Sequence, residues 1–154
     1  MTVLLQIANA MKVALNTGRP AGVPEAKDWT GIAVEVDDLP ARTLAWVEEV
    51  TARAGADTSP LVRREVTFVV QDVVAGTGAG GLTAQSVCEA YRAWSVKALV
   101  ANRYTDGGGV PLAIDTVELG TLWEFEQGEV PVCRCTHSFK VTFTTRANDA
   151  EQRV

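Results

Sequence analysis

The sequence is short of the side chains on which most catalytic sites depend. It has one histidine and three cysteines, and no serine lies in a G-x-S-x-G context. Cys88 falls on the apolar stripe of a predicted helix, where burial raises a thiol pKa and blunts its reactivity. Adjacent carboxylates occur at Asp37–Asp38 and Glu48–Glu49, but neighbours on a strand face opposite sides and cannot share a site. We predict no catalytic residues, no cofactor and no enzyme activity.

Long apolar runs and an excess of basic residues are also missing. The longest apolar run is far shorter than the roughly 20 residues that cross a bilayer. The first residues, MTVLLQIANAMK, have no basic leader and no small-residue cleavage site. The net charge of −5 disfavours nucleic-acid binding driven by release of phosphate counterions. We expect a cytosolic chain that does not enter membranes and does not bind DNA specifically.

The cysteines and the histidine raise the question of a metal site. Cys133, Cys135 and His137 alternate along one predicted strand and therefore share a face. That face continues through Phe139 and other apolar residues, which favours a core role over a ligand set, and no fourth ligand is identified. An odd number of cysteines at this spacing also favours reduced thiols. We predict no metal and no disulfide.

Acidic residues are concentrated in one stretch. No Lys or Arg occurs between Val110 and Cys133, and five carboxylates fall there: Asp115, Glu118, Glu124, Glu126 and Glu129. Such a run is usually a solvated face. Its functional interpretation is a surface that repels phosphate or pairs with a basic partner.

Hydrophobic periodicity predicts an α+β domain over 1–146, in which a mixed, largely antiparallel sheet packs against two main helices. The first helix covers VLLQIANAMKVAL, and the second runs from about Thr83 to about Tyr104. Strands are predicted at Thr30–Val36 and in REVTFVVQDVV, and two β segments follow Pro111. The run RTLAWVEEVTARAG fits a helix or a strand. The longest alternation, from Cys133 to Thr144, predicts a strand with one buried face, followed by a loose polar tail over 147–154.

The stretch GTGAGG, Gly76–Gly81, matches G-x-G-x-x-G between a predicted strand and a predicted helix. A dinucleotide-binding fold requires a strand buried on both faces and a second parallel βα unit. The preceding strand has a polar face that includes Glu65 and Gln71, and no second unit follows. We therefore favour a small-residue connection over a phosphate-binding loop.

Five segments together resemble the tail terminator (tail completion) proteins of long-tailed bacteriophages. They are LLQIANAMKVALN, VEVDDLPARTLAWVEEVTAR, VRREVTFVVQDVV, AQSVCEAYRAWSVKALVANRY and CTHSFKVTFTTR. The resemblance covers nearly the whole chain in order and patterning, and it favours a strand at Thr43–Arg53. The two glycine-containing loops, Gly76–Gly81 and Asp106–Val110, depart from any fixed pattern of these proteins.

The resemblance implies a virion structural protein without catalysis or cofactor. Such a protein assembles as a ring, typically a hexamer, on the last ring of tail tube protein. It ends tail polymerisation at the head-proximal end and joins the head connector, after assembly in the host cytoplasm. DNA would pass through the ring, and the acidic stretch is our candidate for its lumen or for a docking face. A head-tail connector (neck) protein is the alternative, followed by a nucleotide-binding enzyme and an unrelated α/β interaction domain.

Four residues are candidates for the interface between subunits. Val96 and Val100 lie one turn apart on the helix side opposite the core stripe, and Trp123 and Phe125 share one strand face among acids. Aromatic anchors often carry interface energy. The alternative for Trp123 and Phe125 is that they complete the core of the subunit.

Overall fold

The computed structural model describes residues 1–31, 35–53, 60–76 and 81–153. The main elements, in chain order, are α1 (Val3–Asn16), β1 (Ala26–Asp28), β2 (Ala41–Arg53), β3 (Leu61–Ala75), α2 (Gly81–Leu99), β4 (Asp115–Glu126), β5 (Val132–Arg146) and β6 (Asp149–Arg153). A 3-10 turn at Val36–Asp38 precedes β2. This order confirms the predicted α+β class and the strand at Thr43–Arg53.

The strands form one sheet in the order β1-β2-β3-β5-β4, and β6 pairs with the end of β5. β1 runs parallel to β2, and the other pairings are antiparallel. β3 pairs with β5 along the full length of both strands, from Leu61 opposite Arg146 to Ala75 opposite Val132. The long central strands therefore form a rigid platform, and β2 and β4 flank it.

Both helices cover the same face of the sheet. The predicted alternation of β5 is confirmed, because its inward side chains are almost completely buried: Cys133, Cys135, His137, Phe139, Val141 and Phe143. The α1 side chains Ile7, Met11 and Leu15 pack with Phe68 and Phe139 in the larger core cluster. The buried side chains of the strands pack there against the apolar stripes of the helices, as a two-layer domain requires.

The predicted second helix is correct in place but too long. α2 begins at Gly81, so Thr83 lies within it, and it ends at Leu99 instead of near Tyr104. Ala101 and Tyr104 have φ angles of 60° and 45°, which are incompatible with continuing a right-handed helix. The Ala101 N–H instead donates to the Thr116 carbonyl at 2.9 Å, which ties the end of the helix to β4.

Three other sequence predictions need correction or lie partly outside the described residues. Of the strand predicted at Thr30–Val36, residues 32–34 lie outside the described residues, Thr30, Gly31 and Glu35 are not in a strand, and Val36 begins the 3-10 turn. The turn residues of GRPAGVPEAKD predict a connecting loop before it, but this segment contains β1, which pairs with the first residues of β2. The tail over 147–154 is not loose throughout, because Asp149–Arg153 forms β6 against β5.

Within the described ranges, neither helix is both long and apolar enough to cross a bilayer.

Candidate functional site

The structure separates the four predicted interface residues. Val96 is half-buried and packs against the larger core cluster, whereas Val100, one turn later, is 37% exposed. Trp123 packs against a second core cluster that includes Cys88 and Cys133. Phe125 lies on the same face of β4 but is 50% exposed. Val100 and Phe125 therefore present apolar surface, while Val96 and Trp123 contribute to the core of the subunit.

The acidic stretch is divided between the two faces of the sheet. Glu118 faces α2 and accepts a hydrogen bond from Nη2 of Arg92 at 2.6 Å. Glu124 and Glu126 lie on the opposite face, where Nη1 of Arg134 is 3.9 Å and 2.9 Å from their carboxylate oxygens. Asp115 and Glu129 are exposed at the start of β4 and in the turn after it. Arg92 of α2 and Arg134 of β5 thus partly neutralise the negative charge of the acidic stretch, which contains no Lys or Arg of its own.

The outer edge of β4, with which no strand pairs in the described part of the chain, carries exposed apolar side chains in addition to Phe125. Leu119 and Leu122 are 52% and 58% exposed. Leu122 lies opposite Thr136 on the face without helices, while Phe125 lies opposite Cys133 on the helix face. The β4 edge therefore offers apolar surface on both faces of the sheet.

The other side of the sheet has a similar edge on β2. β1 covers β2 only from Arg42 to Leu44, and within the described ranges no strand pairs with the outer edge of β2 beyond that point. Trp46 and Val50 are 47% and 52% exposed along this edge. Trp29 follows β1, and its backbone N–H donates to the Leu44 carbonyl. Trp29 and Trp46 line the same shallow groove.

Sequence reasoning missed this β2 edge, because a regular strand alternation places Leu44, Trp46 and Val50 on one face. A bulge between Trp46 and Glu48 reverses the alternation, so Trp46 pairs with Phe68 and Val50 with Glu65. The sequence does contain a sign of this bulge, because the consecutive residues Trp46 and Val47 are both large and apolar. A strand with one buried face needs such residues at one parity only.

A buried polar cluster lies between α2 and the centre of the sheet. Nε of Arg42 donates to Oδ1 of Asp72 at 2.7 Å, and its Nη2 reaches Oδ2 at 3.2 Å. The same Nη2 also donates to the Tyr91 carbonyl and to Oγ of Ser95. Nε2 of His137 lies 2.9 Å from Oδ2 of Asp72. The Asp72 carboxylate thus joins β3 to β2 and β5, and the Arg42 guanidinium joins these strands to α2.

The cluster stabilises the fold instead of forming an open reaction site. The side chains of Arg42, Asp72 and His137 are completely buried, so no substrate reaches the carboxylate–imidazole pair from solvent. The sequence pattern predicts His137 at a partly buried end of its strand face, whereas its side chain is completely buried. The burial of Asp72 could have been predicted from the sequence, because the alternation of β3 places it on the same apolar face as Val66, Phe68 and Val70.

Cys88, Cys133 and Cys135 are free and buried. Burial, and then the charge of Asp72, raise the pKa of Cys135 to about 12. Burial likewise raises the pKa of Cys88 and of Cys133. The described residues contain no group of three or more His, Cys, Asp and Glu side chains that could hold a metal.

The topology argues against a nucleotide site at Gly76–Gly81. β3, which precedes this loop, is antiparallel to both of its neighbours, so it does not belong to a βαβ unit. The N–H of Gly76 donates to the Pro131 carbonyl in the turn between β4 and β5, and Gly81 opens α2. Residues 77–80 lie outside the described part of the chain.

Comparison with known proteins gives a fold likeness. No family model matches the sequence, and no curated protein matches it. The fold is similar to that of a chain in a solved structure titled "Virion of native gene transfer agent (GTA) particle", with a TM-score of 0.50 and 17% sequence identity. The match covers 92% of this chain and 90% of that chain. At this identity the likeness concerns the fold.

Proposed function

We propose that this chain is a structural protein of a phage-like virion, and specifically a tail terminator. It forms a ring, of six subunits by analogy, on the last ring of the tail tube. There it ends tube polymerisation and presents a surface to the head-tail connector. The observation that carries the proposal is the fold likeness to a chain of a gene transfer agent virion over almost the whole length of both chains.

The two free edges of the sheet support a ring. A closed ring of identical subunits uses two different surfaces of each subunit, which meet head to tail. The β4 edge and the β2 edge lie on opposite sides of one sheet, and both carry half-exposed apolar side chains. Natural proteins rarely leave such edges open, because they invite pairing with another strand.

The sheet face without helices supports a lumen through which DNA passes. Most of its central side chains are hydroxyl, amide and charged groups, including Gln71, Thr136 and Lys140, and Val69 and Val73 of β3 lie among them. Glu124 and Glu126 add carboxylates on this face. A polar wall remains hydrated, and its acids repel phosphate, so that DNA slides through the ring without being held.

Electron microscopy of the purified protein tests the proposal. We expect rings in negative stain, either from the protein alone or at one end of tail tubes assembled from the tube protein of the same virus. Adding the protein during tube assembly is expected to shorten the tubes. Rings that bind isolated head connectors but not tubes would favour the neck alternative. Absence of rings under every condition would overturn the proposal.

A further inference from the structure

The strand directions allow the two free edges to pair between subunits. β4 is antiparallel to β5, β5 to β3, and β3 to β2, so β4 is antiparallel to β2 within one chain. Rotation about an axis along the strands preserves these directions. The β4 edge of one subunit therefore meets the β2 edge of the next in the antiparallel orientation, which is the more stable of the two.

We propose that β4 pairs with the open part of β2 in a second copy of the chain, so that one continuous sheet runs around the ring. The inference rests on the proposed function, because it assigns the surfaces of that ring. The occupant of each edge is thus the opposite edge of an identical subunit.

One register places apolar side chains opposite each other on both faces. With Leu122 opposite Val50 on the face without helices, Phe125 falls opposite Trp46 on the helix face. The bulge between Trp46 and Glu48 supplies the one extra residue that this match needs. All four side chains are about half exposed in the single chain, and aromatic and aliphatic cross-strand pairs stabilise a sheet.

Charge favours this head-to-tail contact over pairing of like edges. A β4–β4 contact would bring Glu124 and Glu126 of both copies together. Within each copy these two carboxylates share the single cation Arg134, so the contact would be repulsive. In the proposed register a single like-charge contact arises, between Glu48 and Glu124. Trp29, which is 64% exposed beside the β2 edge, adds apolar surface there.

Cross-linking between introduced cysteines tests the pairing. Val50→Cys and Leu122→Cys are prepared as separate variants, and the native cysteines stay unreactive because they are buried. Oxidation of a mixture of the two variants is expected to give a covalent dimer, while each variant alone gives none. The double variant is expected to give a ladder that stops at the ring size. Val110→Cys and Ile114→Cys, which are also exposed, serve as the matched control pair.

A charge substitution tests the register independently. Glu48→Lys replaces the one repulsive contact with an attractive one and is expected to strengthen subunit association about two- to fivefold at low salt. Glu48→Gln is expected to give a smaller gain. An unchanged or weaker association for Glu48→Lys would contradict the register.

The outcomes separate this inference from the proposed function. Rings in the microscope without any mixed cross-link would overturn the edge pairing and leave the tail-terminator role standing. Cross-linking of Val50→Cys or Leu122→Cys with itself would also overturn it, in favour of a two-fold contact. A protein that is monomeric by light scattering, gives no mixed cross-link and forms no ring on tail tubes would overturn both.

Discussion

Nε of Arg42 on β2 lies 2.7 Å from Oδ1 of Asp72 on β3, and neither side chain is exposed to solvent. The ion pair links β2 to β3. Arg42 also donates hydrogen bonds to Ser95 Oγ and to the Tyr91 carbonyl, which links these strands to α2. Nη1 of Arg42 is buried without a hydrogen-bond partner among the described residues. The guanidinium therefore depends strongly on the one carboxylate that balances its charge.

Asp72→Asn is expected to lower the free energy of unfolding by about 3–5 kcal/mol, because it leaves the Arg42 charge buried without compensation. Urea denaturation followed by circular dichroism measures the change. Replacing both partners, with Arg42→Met and Asp72→Leu, is expected to recover much of the loss. Lys12→Ala, which breaks the exposed pair with Asp28, is the control and should cost less than about 1 kcal/mol. Equal losses for Asp72→Asn and Lys12→Ala would contradict this assignment.

Stability is expected to fall as the pH rises above about 9. The thiol of an unfolded cysteine has a pKa of about 8.5, whereas burial raises the pKa of Cys135 to about 12. A group whose pKa is raised in the folded state contributes its full stability below the unfolded pKa and loses it as the pH approaches the folded value. Each such group costs roughly 1 kcal/mol per pH unit in that window.

Denaturation curves between pH 8 and pH 11 measure this alkaline slope. Cys135→Ala removes one titrating thiol and should flatten the slope, whatever the substitution costs at pH 7. The pKa of Cys88 and of Tyr91 is also raised by burial, so part of the slope remains. The same slope with and without the Cys135 thiol would refute the assignment.

The same substitution at two phenylalanines distinguishes core from surface. Phe139→Ala is expected to cost about 3–5 kcal/mol of unfolding free energy, because Phe139 is completely buried between the helices and the sheet. Phe125→Ala, at a half-exposed position on the β4 edge, should cost far less. Phe125→Asp is expected to leave a folded protein of reduced oligomeric mass in light scattering. Unfolding of the Phe125→Asp variant would instead assign Phe125 to the core of the subunit.

Reversing the charge of the acidic residues on the sheet face without helices is expected to make the ring retain DNA. Glu124→Lys with Glu126→Lys should raise the affinity for duplex DNA at low salt about tenfold, because added cations release phosphate counterions. Fluorescence anisotropy with labelled DNA measures it. Glu25→Lys with Asp38→Lys makes the same change in net charge at exposed sites outside β4. Equal gains for the two pairs would reduce the effect to net charge and count against an acidic lumen.

The sequence by itself determined the elements with a long, uniform period. The alternation from Cys133 to Thr144 specifies β5 and its buried face, and the stripe from Val3 to Leu15 specifies α1. Those patterns repeat one local geometry over many residues, so no knowledge of neighbours is needed. The end of α2 was harder to predict from the sequence. The N–H of Ala101 donates to the carbonyl of Thr116, 15 positions later, and no local pattern encodes this contact.

Only the tertiary structure decided which residues of one strand face are covered. Trp123 and Phe125 share a face of β4, but Trp123 packs with the core beside α2 while Phe125 stays half exposed. Exposure there depends on where the helix lies over the sheet, which no period in β4 encodes. The register between β3 and β5 likewise brings Asp72 to His137 across 65 positions of sequence. Local patterns specify faces, and long-range packing specifies which part of each face remains free for assembly.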